Sequence, residues 1–284
     1  MIGVSIPQGI KVKGVSCIRE NMDLKVFRFT NIFCALVSTQ LLIAREHIVA
    51  QIINLYIWTC CTLVIMGYIM QNFGLATDYG NFQFASIVAA VGLFEIYSAA
   101  TRNIMDIDGD RTISYYLTLP VRPAVVLLSM VCSYAIVGLL LTVMILPLGK
   151  IVFYNSFNFA QISWIKFVIT AVLANVFFGI FMIAVTGHVG TIAKMRNIWS
   201  RFISPLWLFG CYQFSWTAIH ALSAPLSYLV LLNPVVFVME GMRGALLGSP
   251  DCLPWGMCCL VLCLFILVGW NYAHYKMKRL LDFV

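Results

Sequence analysis

Charged residues are scarce in this sequence. Asp, Glu, Lys and Arg together make up 10% of its 284 residues, whereas 62% of the residues are hydrophobic. A soluble domain usually carries about 25% charged residues, and a chain with so few would expose apolar surface that water does not tolerate. This composition excludes an ordinary soluble enzyme, a disordered protein and a nucleic-acid-binding protein.

Three sequence signatures of binding sites or disulfide frameworks are also missing. The phosphate-binding pattern Gly-x-x-x-x-Gly-Lys-Ser/Thr does not occur, because the one Gly-Lys pair, Gly149-Lys150, is followed by Ile151. The four histidines are isolated and show no spacing typical of metal ligands. The ten cysteines lie mostly in apolar runs, unlike those of a disulfide-rich secreted domain. We therefore predict no nucleotide, cofactor or metal bound by this chain.

Long apolar runs are what the sequence does contain. A helix needs about 20 mostly apolar residues to cross a bilayer core. Six stretches come close to this length, and they predict six transmembrane helices at residues 51–71, 84–101, 124–146, 167–188, 202–219 and 255–273.

The basic residues indicate the orientation of these spans. The first 50 residues, the loops after the second and fourth spans and the tail contain 15 Lys and Arg residues, whereas the alternate loops contain three. Cytoplasmic loops carry the excess of Lys and Arg. We therefore predict an all-α polytopic protein of the cytoplasmic (inner) membrane, with a cytoplasmic segment 1–50, one six-helix domain 51–273 and a cytoplasmic tail 274–284.

The segment at 24–47 is apolar but interrupted by polar residues. Lys25 and Arg28 share one face of a helix, and apolar residues lie on another. This pattern is typical of an amphipathic helix that lies in the membrane interface. A seventh span is the alternative, because 29–43 is dense in apolar residues, but an odd number of spans would destroy the charge asymmetry.

The loop at 102–123 is the most structured of the predicted cytoplasmic pieces. Asp108 or Asp110 can cap a short helix there, and two prolines end it. One face of this helix is apolar although it lies outside the membrane. It would have to pack against a partner protein, against the protein's own cytoplasmic helix ends or against lipid headgroups. The three residues of that face, at i, i+3 and i+4, are Ile113, Tyr116 and Leu117.

The external region at 223–254 contains two short apolar pieces. Asn233 followed by Pro234 is typical of a helix cap and first helical residue, and the helix of about 14 residues that follows spans only about two-thirds of a bilayer core. Glu240 and Arg243, at i and i+3, can pair on one of its faces. We predict a re-entrant helical hairpin, which needs burial in protein or a cavity to line. The alternative is a helix on the external headgroups.

Glu95 is the one acidic residue well inside a predicted span, which makes it a candidate for transport or proton relay. Arg102 lies seven residues further along on the same face, so both charges could instead reach the cytoplasmic end of the helix. Several aromatic residues in the spans could line an apolar pathway or simply pack: Trp58, Phe94, Trp207, Tyr212 and Trp216.

The order of these parts resembles the ABC-2-type permease family, the membrane subunits of bacterial ABC exporters. The resemblance covers essentially the whole chain. Its most specific match is Leu-Asn-Pro-Val-Val-Phe-Val-Met-Glu-Gly-Met-Arg-Gly-Ala-Leu-Leu-Gly at 232–248, similar to the family's Asn-Pro…Arg…Gly region. The second is Gly-Asp-Arg-Thr-Ile-Ser-Tyr-Tyr-Leu-Thr-Leu-Pro-Val-Arg at 109–122, similar to the family's loop ending in Leu-x-x-Pro.

The resemblance implies an exporter subunit that is not an enzyme in its own right. It would work as a homodimer together with a separate ATPase subunit, and that subunit would bind ATP and magnesium. The substrate would be amphipathic, lipid-linked or drug-like, with polysaccharides among the family's cargoes. The N-terminal helix would connect the ATPase to the spans, and the external hairpin would shape the exit. The ATPase would contact a coupling helix that includes Asp106, Asp108, Asp110, Arg111, Ile113, Tyr116 and Leu117.

Two other classes of function remain open from the residues themselves. A membrane-embedded lipid-modifying enzyme would use Asp106, Asp108 and Asp110, whose spacing is compatible with a divalent ion. An ion-coupled secondary transporter would carry paired broken helices in its two halves, whereas only one half of this sequence shows such a break.

Overall fold

A computed structural model describes residues 13–119, 121–153, 157, 159–248 and 252–281 of the chain, with side chains from residue 30 onward. The described residues form helices and connecting turns without any strand. The α-helices are α1 Lys13–Val64, α2 Tyr79–Asp108, α3 Thr112–Thr118, α4 Pro123–Met144, α5 Leu146–Val152, α6 Trp164–Val189, α7 Ile192–Ile198, α8 Ser204–Leu208, α9 Trp216–Leu222, α10 Ala224–Val230, α11 Pro234–Leu246 and α12 Trp255–Leu281.

Five helical stretches of the described chain are long and apolar enough to cross a membrane. This agrees with the predicted class, an all-α multi-pass membrane protein. The pair α10 and α11 also passes this test when the two helices are taken together, but their axes are bent by 97°, as in a broken span or a re-entrant loop. The five stretches are Thr30–Phe73, Tyr79–Asp108, Pro123–Val152, Trp164–Val189 and Trp255–Leu281.

The centre of the bundle is built on α6, which packs against α2, α4, α11 and α12. Small residues let these helices approach closely, as is common inside membranes. Asn175 of α6 lies between glycines of two neighbours: a Cβ atom on Gly138 of α4 would stand 2.0 Å from its Oδ1 atom, and one on Gly92 of α2 would stand 2.8 Å from it. The side chain of Asn175 therefore fills the space that the two glycines leave.

The predicted interfacial helix at 24–47 and the predicted first span are parts of one helix, α1. The polar residues at its middle do not break it, because the hydroxyl groups of Ser38 and Thr39 donate to the carbonyl oxygen of Ala35, at 2.9 and 2.8 Å. Such bonds satisfy the hydroxyl groups within the helix. No proline occurs anywhere along α1.

The predicted fifth span, 202–219, is not a continuous helix. A π-helical turn at Trp199–Ile203 leads into α8, and a non-helical stretch separates α8 from α9. The prediction of an unbroken crossing here is therefore wrong. We call residues 209–215 the break.

Candidate functional site

The break begins where the backbone cannot continue as a helix. α8 ends at Leu208. A Cβ atom on Gly210 would lie 2.8 Å from the carbonyl oxygen of Leu206, so only glycine fits here without moving the backbone. Cys211 then adopts a φ of 61°, in the left-handed region. These two residues turn the chain away from the helix axis and leave carbonyl oxygens without helical partners.

Arg243 of α11 binds the carbonyl oxygens that the break leaves free. Its guanidinium group donates to the carbonyl oxygens of Cys211, of Tyr212 at 3.1 Å and of Phe214 at 3.2 Å. A guanidinium group offers five N–H donors in one rigid plane. A side chain about 30 positions away thus replaces the hydrogen bonds that a continuous helix would have made.

The rest of the guanidinium group is anchored to α2. Arg243 donates from Nη2 and Nε to the hydroxyl oxygen of Ser86, at 2.7 and 3.2 Å. Its Cζ atom also lies 3.8 Å above the ring centre of Phe82, which is a cation–π contact. Arg243 is fully buried, and it joins α2, α11 and the break at one point.

Glu240 balances the charge of Arg243. Its Oε1 atom lies 3.0 Å from Nη1 of Arg243, and both side chains are fully buried, so the pairing predicted from their spacing is present. Glu240 also accepts hydrogen bonds from the backbone N–H groups of Trp216, at 3.0 Å, and Leu253, at 3.2 Å. The carboxylate therefore holds the first residue of α9 and the segment before α12 against α11.

The start of α11 is capped as predicted. Asn233 Oδ1 accepts a hydrogen bond from the backbone N–H of Val235, at 3.0 Å, and Pro234 is the first helical residue. The amide nitrogen of Asn233 also donates to the carbonyl oxygen of Leu206, at 2.6 Å. Asn233 thus ties α11 to α8 just before the break, a contact that sequence spacing does not indicate.

Four of the five aromatic residues noted above form one cluster beside the break. Phe94 of α2 is central, with its ring centre 4.7 Å from that of Trp58 and 5.4 Å from that of Trp207. Tyr212, within the break, lies 4.7 Å from Trp207. The fifth residue, Trp216, lies apart, because it stacks on His220. We call the first four residues the aromatic cluster.

The aromatic cluster contains two buried polar groups without a hydrogen-bond partner among the described residues, the indole N–H of Trp207 and the hydroxyl group of Tyr212. A buried donor without an acceptor costs about 1–3 kcal/mol. A hydroxyl or carbonyl oxygen of a bound molecule would remove that cost.

Glu95 is held by a residue that the sequence analysis did not single out. Its Oε2 atom accepts a hydrogen bond from the side-chain amide of Gln51, at 2.8 Å, so the contact links α1 to α2.

Arg102 is exposed and lines a cavity of about 230 Å³ between α1, α2, α3 and α4. Asp106, Ile113 and Tyr116 line the same cavity, so four of the predicted site residues meet there.

Helix α3 lies where a short helix was predicted, but its cap differs. The carboxylate of Asp106 accepts hydrogen bonds from the backbone N–H groups of Thr112 and Ile113, at 3.1 and 2.8 Å. The prediction that Asp108 or Asp110 would cap this helix is therefore wrong. The cause is the sharp turn before α3, which brings Asp106 back over its first residues.

The apolar face of α3 is largely covered by the chain itself. Ile113 is buried, Tyr116 and Leu117 are half-buried, and α3 contacts α2 and α4. Partial burial raises the pKa of the Tyr116 hydroxyl, and the negative charge of Asp106 adds to this effect. The exposed residues of α3 and of the turn before it instead include Asp108, Asp110, Arg111 and Tyr115.

The described residues contain no group of three or more His, Cys, Asp or Glu side chains placed to hold a metal ion. The three aspartates of the turn before α3 do not converge on one point: Asp106 faces the backbone amides of α3, whereas Asp108 and Asp110 are exposed.

Comparison of the sequence with family models and with curated proteins finds no match.

Proposed function

We propose that this chain is the membrane subunit of an ATP-driven exporter of the ABC-2 type. It would move an amphipathic, lipid-linked or drug-like substrate outward across the cytoplasmic membrane, as a pair of copies with separate ATPase subunits. ATP and magnesium would bind to those subunits. Nucleotide binding would push on α3 and shift the bundle between two arrangements that open on opposite sides.

The observation that carries this proposal is the helix break held by Arg243. Non-helical backbone at membrane depth is tolerated only where protein buries it or where it lines a cavity, and discontinuous helices form the substrate sites of many secondary transporters. Here the break is bound by Arg243 on one side and carries Tyr212 of the aromatic cluster on the other.

The surroundings of α10 and α11 support a re-entrant hairpin rather than a surface helix. Every residue of α11 from Val235 to Arg243 is buried, and the helix packs on α2, α6 and α12. By contrast, α10 and the turn after it expose Leu226, Leu229 and Leu232. Exposure of these apolar side chains is unfavourable in water but not in lipid. A hairpin buried on one side and covered by lipid on the other accounts for both faces.

The aromatic cluster supports an amphipathic substrate. Flat rings bind apolar faces and sugar rings by stacking, and the free N–H of Trp207 offers one hydrogen bond to a polar group. No positive charge lies among the four rings themselves, which suits a neutral or weakly polar part of a substrate better than a free ion.

Helix α3 supplies the surface for the ATPase subunit in this proposal. Replacing Tyr115, which is 62% exposed, with Ala should reduce stimulation of ATP hydrolysis roughly tenfold, because large aromatic residues dominate the energy of such contacts. The measurement is ATP hydrolysis by the purified ATPase subunit with the wild-type or variant chain in the same vesicles.

Tyr275→Ala is the matched control, because Tyr275 is 58% exposed on α12 and lies outside the proposed contact. We expect this variant to stimulate the ATPase as the wild type does. Equal stimulation by the Tyr115 and Tyr275 variants would contradict the assignment of α3.

The proposed orientation has its own test. A protease site inserted between Gly109 and Asp110 should be cut in inverted vesicles and protected in right-side-out vesicles. A site inserted between Gln161 and Ile162, in the next loop that faces the other side, should show the opposite pattern. Cleavage of the first site from outside would reject the orientation and the role of α3 together.

A further inference from the structure

An apolar groove lies on the surface of the bundle, and no residue of the aromatic cluster lines it. It encloses about 460 Å³ between α6, α12 and the π-helical turn that precedes α8, a volume within the range of small-molecule sites. Its walls include Phe181, Ala184, Phe202, Phe265, Val268 and Gly269.

Small residues create this groove and rings shape its wall. Gly269 and Ala184 leave the space between α12 and α6 unfilled, although the helices are close enough that a Cβ on Gly269 would lie 3.3 Å from Ile180. The rings of Phe177, Phe181 and Phe202 stack in a row, with centre distances of 6.1 and 6.0 Å. The result is an apolar slot with aromatic rings along one wall.

One end of the groove is polar and basic. His188 and Tyr272 line it and share a hydrogen bond of 3.0 Å between Nδ1 and the hydroxyl oxygen. The ammonium group of Lys276 lies 5.7 Å from the centre of the Tyr272 ring. The two segments that form most of the groove walls, 164–203 and 255–281, contain no Asp or Glu, and the groove lining includes no acidic side chain among the described residues.

We propose that the groove holds one acyl chain of an anionic phospholipid, with its phosphate beside Lys276, His188 and Tyr272. The apolar slot alone would not select a lipid, since lipid tails are as apolar as the groove walls. Selection comes from the basic end, where a Lys near an anionic headgroup favours binding by about fivefold. The bound chain would brace Phe202, and hence the start of the broken helix, against α6 and α12.

This site is independent of what the chain transports, and it can be tested with the purified full-length chain alone. The probes are phosphatidylglycerol and phosphatidylcholine that carry the same photoactivatable group on one acyl chain, each added in trace amounts to phosphatidylcholine vesicles. After illumination, mass spectrometry locates the label. We expect labelling of groove residues in α6 and α12, about fivefold stronger with phosphatidylglycerol.

Two neighbouring residues of α12 provide a matched pair of variants. Val268, 66% exposed, lines the groove, whereas Leu267, 62% exposed, does not. Val268→Trp should fill the slot and abolish labelling there, whereas Leu267→Trp should leave it unchanged. Thermal unfolding of both variants checks that the fold is intact.

Lys276→Gln tests the headgroup contact and should bring labelling by the two lipids to near equality. The proposal is overturned if the wild type labels equally with both lipids, or if the two Trp variants label alike. Two further results would overturn it. One is a Lys276→Gln variant that still labels more strongly with phosphatidylglycerol. The other is a loss of labelling when the chain dimerises, because a second copy would then cover the groove.

Discussion

Arg243→Met is expected to lower the free energy of unfolding by about 3–5 kcal/mol, since removing one partner leaves the buried Glu240 charge uncompensated. The loss also frees the carbonyl oxygens of Cys211, Tyr212 and Phe214 inside the protein. The measurement is thermal and denaturant unfolding of the purified chain in detergent. Arg196→Met, at an exposed arginine, should change the stability little.

A second variant separates the charge from the hydrogen bonds. Adding Glu240→Gln to Arg243→Met removes the unpaired carboxylate, and the amide oxygen can still accept from Trp216 or Leu253. The double variant should therefore recover part of the stability that Arg243→Met loses. If Arg243→Met is no less stable than Arg196→Met, the buried pair does not hold the break.

Gly138→Ala is expected to destabilise the bundle by about 1–3 kcal/mol, the usual cost of overpacking. The new methyl group would stand 2.0 Å from Oδ1 of Asn175. The amide cannot swing away easily, because Gly92 confines it on the other side and its nitrogen donates to the carbonyl oxygen of Ala171, at 2.8 Å. Thermal unfolding and the yield of monodisperse protein measure the effect.

Gly244→Ala is the control for this substitution, because a Cβ atom there meets nothing within 4 Å. It should be neutral or stabilising by about 0.5–1 kcal/mol, as expected for Gly to Ala in a helix. Adding Asn175→Ala to Gly138→Ala should restore stability by making room. Failure of that rescue would show that α4 and α6 do not depend on this close contact.

The long helices and the cap of α11 follow from local signals in the sequence. Apolar length places α2, α4, α6 and α12, and the Asn233-Pro234 pair starts α11, because these features depend on neighbouring residues only. The pairing of Glu240 with Arg243 follows from helical spacing for the same reason. Local patterns were sufficient wherever the stabilising contacts lie within about one turn.

The break was not predictable from the same patterns. Residues 202–219 are apolar enough to span, and their interruption depends on Arg243, about 30 residues later, together with Ser86 on another helix. The cap of α3 by Asp106 depends on the backbone of Arg111, which takes a φ of 55°. This turn brings a carboxylate from the end of α2 over the start of α3, and sequence spacing does not indicate it. Gly210 after Pro205 was the one local hint of a break.

The chain order of the Arg243 contacts bears on how the protein is made. Arginine at the middle of a bilayer costs about 2.5–3.5 kcal/mol when it inserts without partners. All of its acceptors, Ser86, Cys211, Tyr212, Phe214 and Glu240, precede it in the sequence. Synthesis from the N-terminus therefore places every acceptor for this cation ahead of the arginine in the growing chain, so that α11 can pack with its charge already neutralised.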